Sequence, residues 1–238
     1  MGDERLIEIY DKLNGPVEEA YCELRTNIQF CGLDSKLKTI ALTSYSSGEG
    51  KTTTAINLSI SIAKSDKRTL LVDIDLRKPM LMKGSVSHNT TGLSNFLAGM
   101  AEFDEIVKES SIPNLFVVSC GPKPPNPTEL IGTEKFKHFI KLTEEQFDMV
   151  IFDTPPLGSV IDAAIVASLV DGVIIVIEAN TIDYKKEQRI KEQLLKAKAN
   201  ISGVILNKIK RNEYKEYYTN YDYIKKARNN NKKQKYKK

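Results

Sequence analysis

The 238-residue sequence is short of the residues that build disulfide frameworks, metal centres and membrane spans. It has three cysteines, Cys22, Cys31 and Cys120, odd in number and without paired or metal-type spacing. That excludes a disulfide scaffold and a zinc ribbon, and it predicts reduced thiols in a cytosolic protein, each packed as a small apolar residue. Its two histidines, His88 and His138, stand isolated and read as surface or packing residues. The longest apolar run, 163–179, is broken by Asp171 and falls short of the roughly 20 residues a membrane span needs. The opening MGDERLIEIYDK is acidic and has no apolar core, so no secretory signal is expected, and the residues after Gly2 do not make an acylation site. Internal repeats are absent too. What is present, 41% hydrophobic and 28% charged residues, is the composition of a globular chain long enough for one sizeable core plus extensions.

Charge is unevenly spread. Residues 205–238 hold twelve Lys and Arg against three Asp and Glu, a local +9 within a net +4. The body is therefore mildly acidic and the tail strongly basic, a balance that points to a solvated tail touching something anionic. Five tyrosines crowd into that tail between 214 and 223. They have no consistent period and alternate with Lys, Glu, Asn and Asp, so they do not make a core segment.

Periodicity divides the body. In PVEEAYCELRTNIQF (16–30), proline opens the segment, acids fill its first turn, and Val17, Ala20, Leu24 and Ile28 fall near helical spacing, which predicts a leading helix. Five short apolar runs, at 38–44, 68–75, 147–153, 171–179 and 200–209, alternate with helical patterns and predict a doubly wound, mostly parallel α/β sheet covered on both faces. Glycine and proline cluster in CGPKPPNPTELIG (120–132), a rigid loop feeding a helix that starts near Asn126 or Thr128. The resulting organisation is an N-terminal extension with the leading helix (1–34), a nucleotide-type domain (35–211) and a flexible basic, tyrosine-rich tail (212–238).

The chemistry is concentrated in TSYSSGEGKTTT (43–54), a loop that follows a strand and opens a helix. Ser47 and the glycines Gly48 and Gly50, with Glu49 between them, let backbone N–H groups and a helix N-terminus, with Thr53, face a phosphate chain. Lys51 would then reach the β and γ phosphates, and Thr52 would offer its hydroxyl to Mg²⁺. The general pattern asks for glycine six positions before the lysine, where this chain has Tyr45. Two further strands end in carboxylates: LLVDID in Asp73 and Asp75, and MVIFD in Asp153. An aspartate at a strand end is commonly a helix cap, but three of them opening onto the crevice beside a phosphate loop are what a magnesium nucleotide requires. The loop resembles that of P-loop NTPases of the deviant Walker A, MinD-like kind, and that resemblance implies the same fold class.

At these residues the chain resembles the bacterial protein-tyrosine kinases of capsular and exopolysaccharide clusters, the cytosolic subunits of CpsD/CapB-like type. The resemblance runs through S-x-x-x-G-E-G-K-T, L-L-V-D-x-D-x-R-K-P, I-F-D-T-P-P, G-P-x-P-P-N-P-x-E-L, the leading E-A-Y-x-x-L-R-T-N helix and the terminal tyrosine cluster. It implies an ATP- and Mg²⁺-dependent kinase that phosphorylates its own tail in trans, on Tyr214, Tyr217, Tyr218, Tyr221, Tyr223 and Tyr236, within a ring of neighbouring subunits, an octamer by family habit. It also implies a transmembrane, Wzz-like activator that regulates polysaccharide chain length, a cognate tyrosine phosphatase, no nucleic acid, and a cytoplasmic chain recruited to the inner face of the membrane.

Residue by residue, the resemblance gives Lys51 the ATP phosphates, Thr52 with Asp75 and Asp153 the metal, and Asp73 the proton of the incoming hydroxyl. Asn207 falls where relatives contact adenine, with Lys208 or Arg211 alongside; a strand-end turn residue is the plainer alternative. The family's assembly motif matches at Glu19 and Arg25, but its middle arginine is Cys22 here. A guanidinium that could fork onto a carboxylate has become a small thiol. Assembly through this helix is then lost, or it rests on Glu18, Glu23 and Arg25 with other partners. A second class, the MinD/ParA-like ATPases that switch on membrane or DNA, shares the loop and the aspartates, but its signature lysine five positions before Lys51 is Ser46 here.

Overall fold

The computed structural model describes residues 15–31, 37–78, 91–181 and 183–210; the tail tyrosines, His88 and Arg211 lie outside them. In chain order the elements are α1 (Gly15–Cys31), β1 (Thr39–Thr43), α2 (Lys51–Ala63), β2 (Thr69–Asp73), α3 (Leu93–Leu97), α4 (Phe103–Ile106), β3 (Val107–Glu109), β4 (Leu115–Val118), α5 (Pro127–Ile131), α6 (Glu134–Gln146), β5 (Met149–Asp153), α7 (Asp162–Ala167), β6 (Gly172–Glu178), α8 (Tyr184–Lys196) and β7 (Ile201–Asn207).

One seven-stranded sheet has the order β3-β4-β2-β5-β1-β6-β7, parallel throughout except for the antiparallel edge pair β3 and β4. β1 and β2 are buried along their whole length because helices cover both faces, which is why they read as unbroken apolar runs. The five runs expected from sequence are β1, β2, β5, β6 and β7. β3 and β4 add two more, at three and four residues too short to stand out.

Two apolar layers flank the sheet. One packs Phe96, Phe103, Phe136 and Phe139 with α7 and α8; the other packs α2 with Ile28, Tyr21 and Leu24 of α1. Ile40 and Leu71 have no exposed surface, and truncating either to alanine is expected to cost about 2–5 kcal/mol.

The leading helix forms as expected, and it turns positions 22 and 25 of the assembly motif toward its own chain. Arg25 donates to the Ser61 carbonyl at 2.5 Å, Cys22 Sγ lies 3.9 Å from the Ser61 hydroxyl, and Lys64 pairs with Glu18 at 3.3 Å. Glu19 is exposed and Val17 is 38% exposed, so the apolar face is carried by Leu24 and Ile28. Cys22 is half-buried rather than fully packed, because its helix rides on α2 at the periphery; Cys120 is buried as expected. His138 is exposed on α6, as expected for a surface residue. Asn126 precedes α5, with Pro127 at its first position.

Candidate functional site

The phosphate loop joins β1 to α2. Its bend needs two left-handed residues, Gly48 (φ 93°) and Gly50 (φ 92°). At Gly50 a second constraint applies: a Cβ would lie 2.0 Å from Asn207 Nδ2. That amide donates to the Glu49 carbonyl at 2.9 Å, so Asn207, at the end of β7, braces the loop from below. Within the loop, Ser46 N–H donates to Glu49 Oε1 at 2.8 Å and the Ser44 hydroxyl to the Ser46 carbonyl. Burial pushes the Glu49 carboxyl above its ordinary value, and its Oε2 has no partner. Ser47, Gly48 and Thr53 are exposed, and Thr52 is half-buried at the start of α2. Tyr45 fills the place of the missing glycine by crossing to the β5 loop: its carbonyl accepts from Gly158 N–H at 3.1 Å, and the Ser44 carbonyl accepts from Leu157 N–H at 2.8 Å.

β2 and β5 are adjacent and in register, which sets Asp73 directly beside Asp153. Both are enclosed, at 0% and 1% exposed, and Asp75 is buried two residues on. Lys51 Nζ donates to Asp153 Oδ1 at 2.7 Å, both side chains under 10% exposed. The other Asp153 oxygen is buried without a partner. Asp73 Oδ1 accepts from Asp75 N–H at 3.0 Å. Asp75 Oδ1 accepts from the N–H groups of Arg77 and Lys78 at 3.3 and 2.9 Å. Those bonds favour the charged carboxylate, but burial outweighs them and pushes Asp75 up. Cys120 belongs to the same neighbourhood: burial first, then Asp73 and Asp75, push its thiol up to about 12.

Three carboxylates and one ammonium thus converge at the mouth of the phosphate loop. Buried like charges at this spacing hold together at neutral pH only if cations offset them. The unpartnered Asp153 oxygen, Asp75 and the Thr52 hydroxyl are hard oxygen donors of the kind Mg²⁺ takes. Among the described residues no group of three His, Cys, Asp or Glu side chains closes into a metal cage; in phosphate sites Mg²⁺ takes one or two carboxylates and completes its shell with phosphate oxygens and water.

Lys51, Asp73, Asp75 and Asp153 are therefore brought together, and Asn207 joins them from the loop's far side. The site also contains Arg77, Thr128 and Asp162, which motif reading did not single out although R-K-P and N-P-T-E-L carry two of them. Arg77 Nε donates to Asp162 at 2.9 Å. On the β6 side a cavity of about 250 Å³ opens between Tyr45, Glu49, Ile177, Asp183, Glu187 and Ile190. Asp73, Asp75, Asp153 and Asp162 do not line it. Among the described residues no helix is long and apolar enough to cross a membrane.

Known proteins share this fold. A family model described as an AAA domain matches residues 37–185. The chain is 41% identical over 194 residues to the tyrosine-protein kinase CpsD of Streptococcus agalactiae, covering 81% of this chain and 83% of that one. It is 38% identical to the tyrosine-protein kinase YwqD of Bacillus subtilis, covering 84% of each. The tyrosine-protein kinase wzc of Salmonella typhi matches at 35% identity over 86% of this chain but only 29% of its own length. Among solved structures, the chimerical protein CapA2B2 superposes with a TM-score of 0.80 at 30% identity, covering 87% of this chain and 91% of that one. The septum site-determining protein MinD of Pyrococcus horikoshii, complexed with Mg-ADP, reaches 0.62 at 24% identity over 73% and 71%, a likeness of nucleotide-binding fold alone. Sequence relatedness across four-fifths of the chain and a shared fold meet on one activity, and the chain belongs to the bacterial tyrosine-protein kinases of P-loop type that include CpsD and YwqD.

Proposed function

We propose that this tyrosine kinase uses Mg²⁺-ATP to phosphorylate the tyrosine cluster of its own tail, in trans, and so regulates the synthesis and export of a capsular or extracellular polysaccharide. The observation that carries the reading is the convergence of Lys51, Asp73, Asp75 and Asp153 at the phosphate loop. Phosphoryl transfer needs positioning and charge neutralisation more than covalent chemistry. Loop N–H groups from Ser47 to Thr53 hold the phosphate chain. Lys51 exchanges its contact with Asp153 for the β and γ phosphates. Thr52, Asp75 and Asp153 are the groups for Mg²⁺, which when bound neutralises charge on the β and γ oxygens. Asp73 takes the proton of the tyrosine hydroxyl as the phenolic oxygen bonds to the γ phosphorus and the bond to ADP breaks.

The tail supports this reading by composition: about −1.5 to −2 per phosphotyrosine on six tyrosines cancels or reverses its local +9. A transmembrane activator recruits the kinase to the inner membrane face. Neighbouring copies supply tails to one another through an assembly that includes Glu19 and Arg25, and a tyrosine phosphatase resets it. The MinD-like switch is disfavoured by Ser46 at the place of the signature lysine.

Incubation of the full chain with radiolabelled ATP and Mg²⁺ tests the proposal. Label on tail tyrosines that disappears in Lys51→Ala supports it; phosphate release without labelled protein refutes it.

A further inference from the structure

The G-P-x-P-P-N-P-x-E-L loop and the arginine of D-x-D-x-R are part of the family resemblance, yet none of the roles above uses them. In the structure they meet. Asp162, at the start of α7, is 1% exposed, and a buried carboxylate needs compensation on both oxygens. Arg77 supplies it in forked geometry, Nε to Oδ2 at 2.9 Å and one terminal nitrogen to Oδ1 at 3.4 Å. Thr128, second residue of α5, closes the triangle: its hydroxyl accepts from Arg77 at 2.7 Å and donates to Asp162 Oδ1 at 2.6 Å. Each hydrogen of that triangle has one place to go, so its geometry is fixed.

The three residues stand in the connections that follow β2, β4 and β5, Thr128 and Asp162 at helix starts, all at the carboxyl edge of the sheet. Pro127 sets the first helical position of α5 and thereby the place of Thr128. Arg77 is also the residue whose backbone N–H, with that of Lys78, holds Asp75 Oδ1. Its main chain thus faces Asp75 while its side chain is anchored in Asp162. An ion pair whose guanidinium is 39% exposed is weak support for stability. What it supplies is placement.

We infer that Arg77, Asp162 and Thr128 are positioning residues, a clamp that fixes the Asp73 to Lys78 turn so that Asp75 is presented to the metal of the bound nucleotide. The inference rests on the proposed role of Asp75.

The test reads nucleotide binding rather than activity. A fluorescent ADP analogue is titrated into the full chain without Mg²⁺ and across a Mg²⁺ series, for wild type, Asp162→Asn, Arg77→Lys, Thr128→Val, Thr128→Ser and Asp75→Asn. Expected for the first three variants is unchanged ADP affinity without Mg²⁺ and a rise of about tenfold or more in the Mg²⁺ needed for half-maximal tightening, the size usual for residues that orient metal ligands. Thr128→Ser, which keeps the hydroxyl, should match wild type. If Asp162→Asn fails to fold, Thr128→Val, which keeps the side-chain shape, decides alone. Wild-type Mg²⁺ dependence in the folded clamp variants, with Asp75→Asn shifted, overturns the inference and leaves the role of Asp75 standing. No shift in Asp75→Asn overturns both. A parallel loss of ADP affinity without Mg²⁺ also overturns it, since the clamp would then serve the loop as a whole.

Discussion

On the β2 and β5 flank of the phosphate loop, Asp73, Asp75, Asp153 and Lys51 are all under 10% exposed, and so is Asp162, which anchors Arg77. On the β6 and β7 flank the charges are open: Lys208 and Glu178 pair at 2.7 Å with side chains 46% and 29% exposed, and Val204 and Leu206 of the edge strand face solvent. Exposed pairs contribute about 0–1 kcal/mol. Buried carboxylates each carry a desolvation penalty of several kcal/mol, so four of them along one edge mark a place organised for a cation and an anion rather than for stability. The first flank gathers buried charges beside the phosphate loop; the second, through Asn207, braces the loop.

The sharpest way to break this comparison is Lys51→Met. It should lower tail labelling by about 10²–10³-fold or more. It should also destabilise the nucleotide-free protein by about 3–5 kcal/mol, because Asp153 is left buried without its partner. Adding Asp153→Asn should recover most of that stability and none of the labelling, read by denaturant unfolding as a double-mutant cycle.

Asp75→Asn should separate stability from function. A raised folded pKa means that the unfolded chain releases this proton first, so between the two values the folded state binds more protons and stability falls as pH rises. Glu49 and Glu144 are raised as well and add the same sign. At neutral pH the variant should melt higher without nucleotide, by about 2–4 °C if removal of the charge is worth about 1 kcal/mol in a domain of this size, while labelling is lost. A lower melting point in calorimetry would contradict the burial argument.

On the open flank the effects should be small. Asn207→Ala removes one donor to the loop and should weaken ATP binding, with a stability loss of about 1 kcal/mol. Lys208→Ala should stay within about 0.5 kcal/mol in the same unfolding assay. Smallest of all is the response of Cys120. Enclosed and pushed up to about 12, it should resist iodoacetamide at pH 8 in the native protein, as peptide mapping can check.

Much of the site was legible because its residues stand at strand ends and in one contiguous loop. The apolar runs ending in Asp73, Asp75 and Asp153 announce both their strands and their edge of the sheet. Pairing across long separations was not legible. Arg77 and Asp162 lie 85 positions apart and Arg77 and Thr128 lie 51 apart, and no local period reports such contacts. Cys120 reads as a small apolar residue, and only the crossover of β4 brings it beside Asp73 and Asp75. Arg25 reads as part of an assembly motif, and only the packing of α1 on α2 turns it to Ser61.

The most direct measurement is a phosphotyrosine map of the full chain after incubation with Mg²⁺-ATP, wild type against Lys51→Ala. The account predicts phosphate on Tyr214, Tyr217, Tyr218, Tyr221, Tyr223 or Tyr236 in wild type and none in the variant. Turnover of ATP by wild type with those tyrosines unmodified would contradict it.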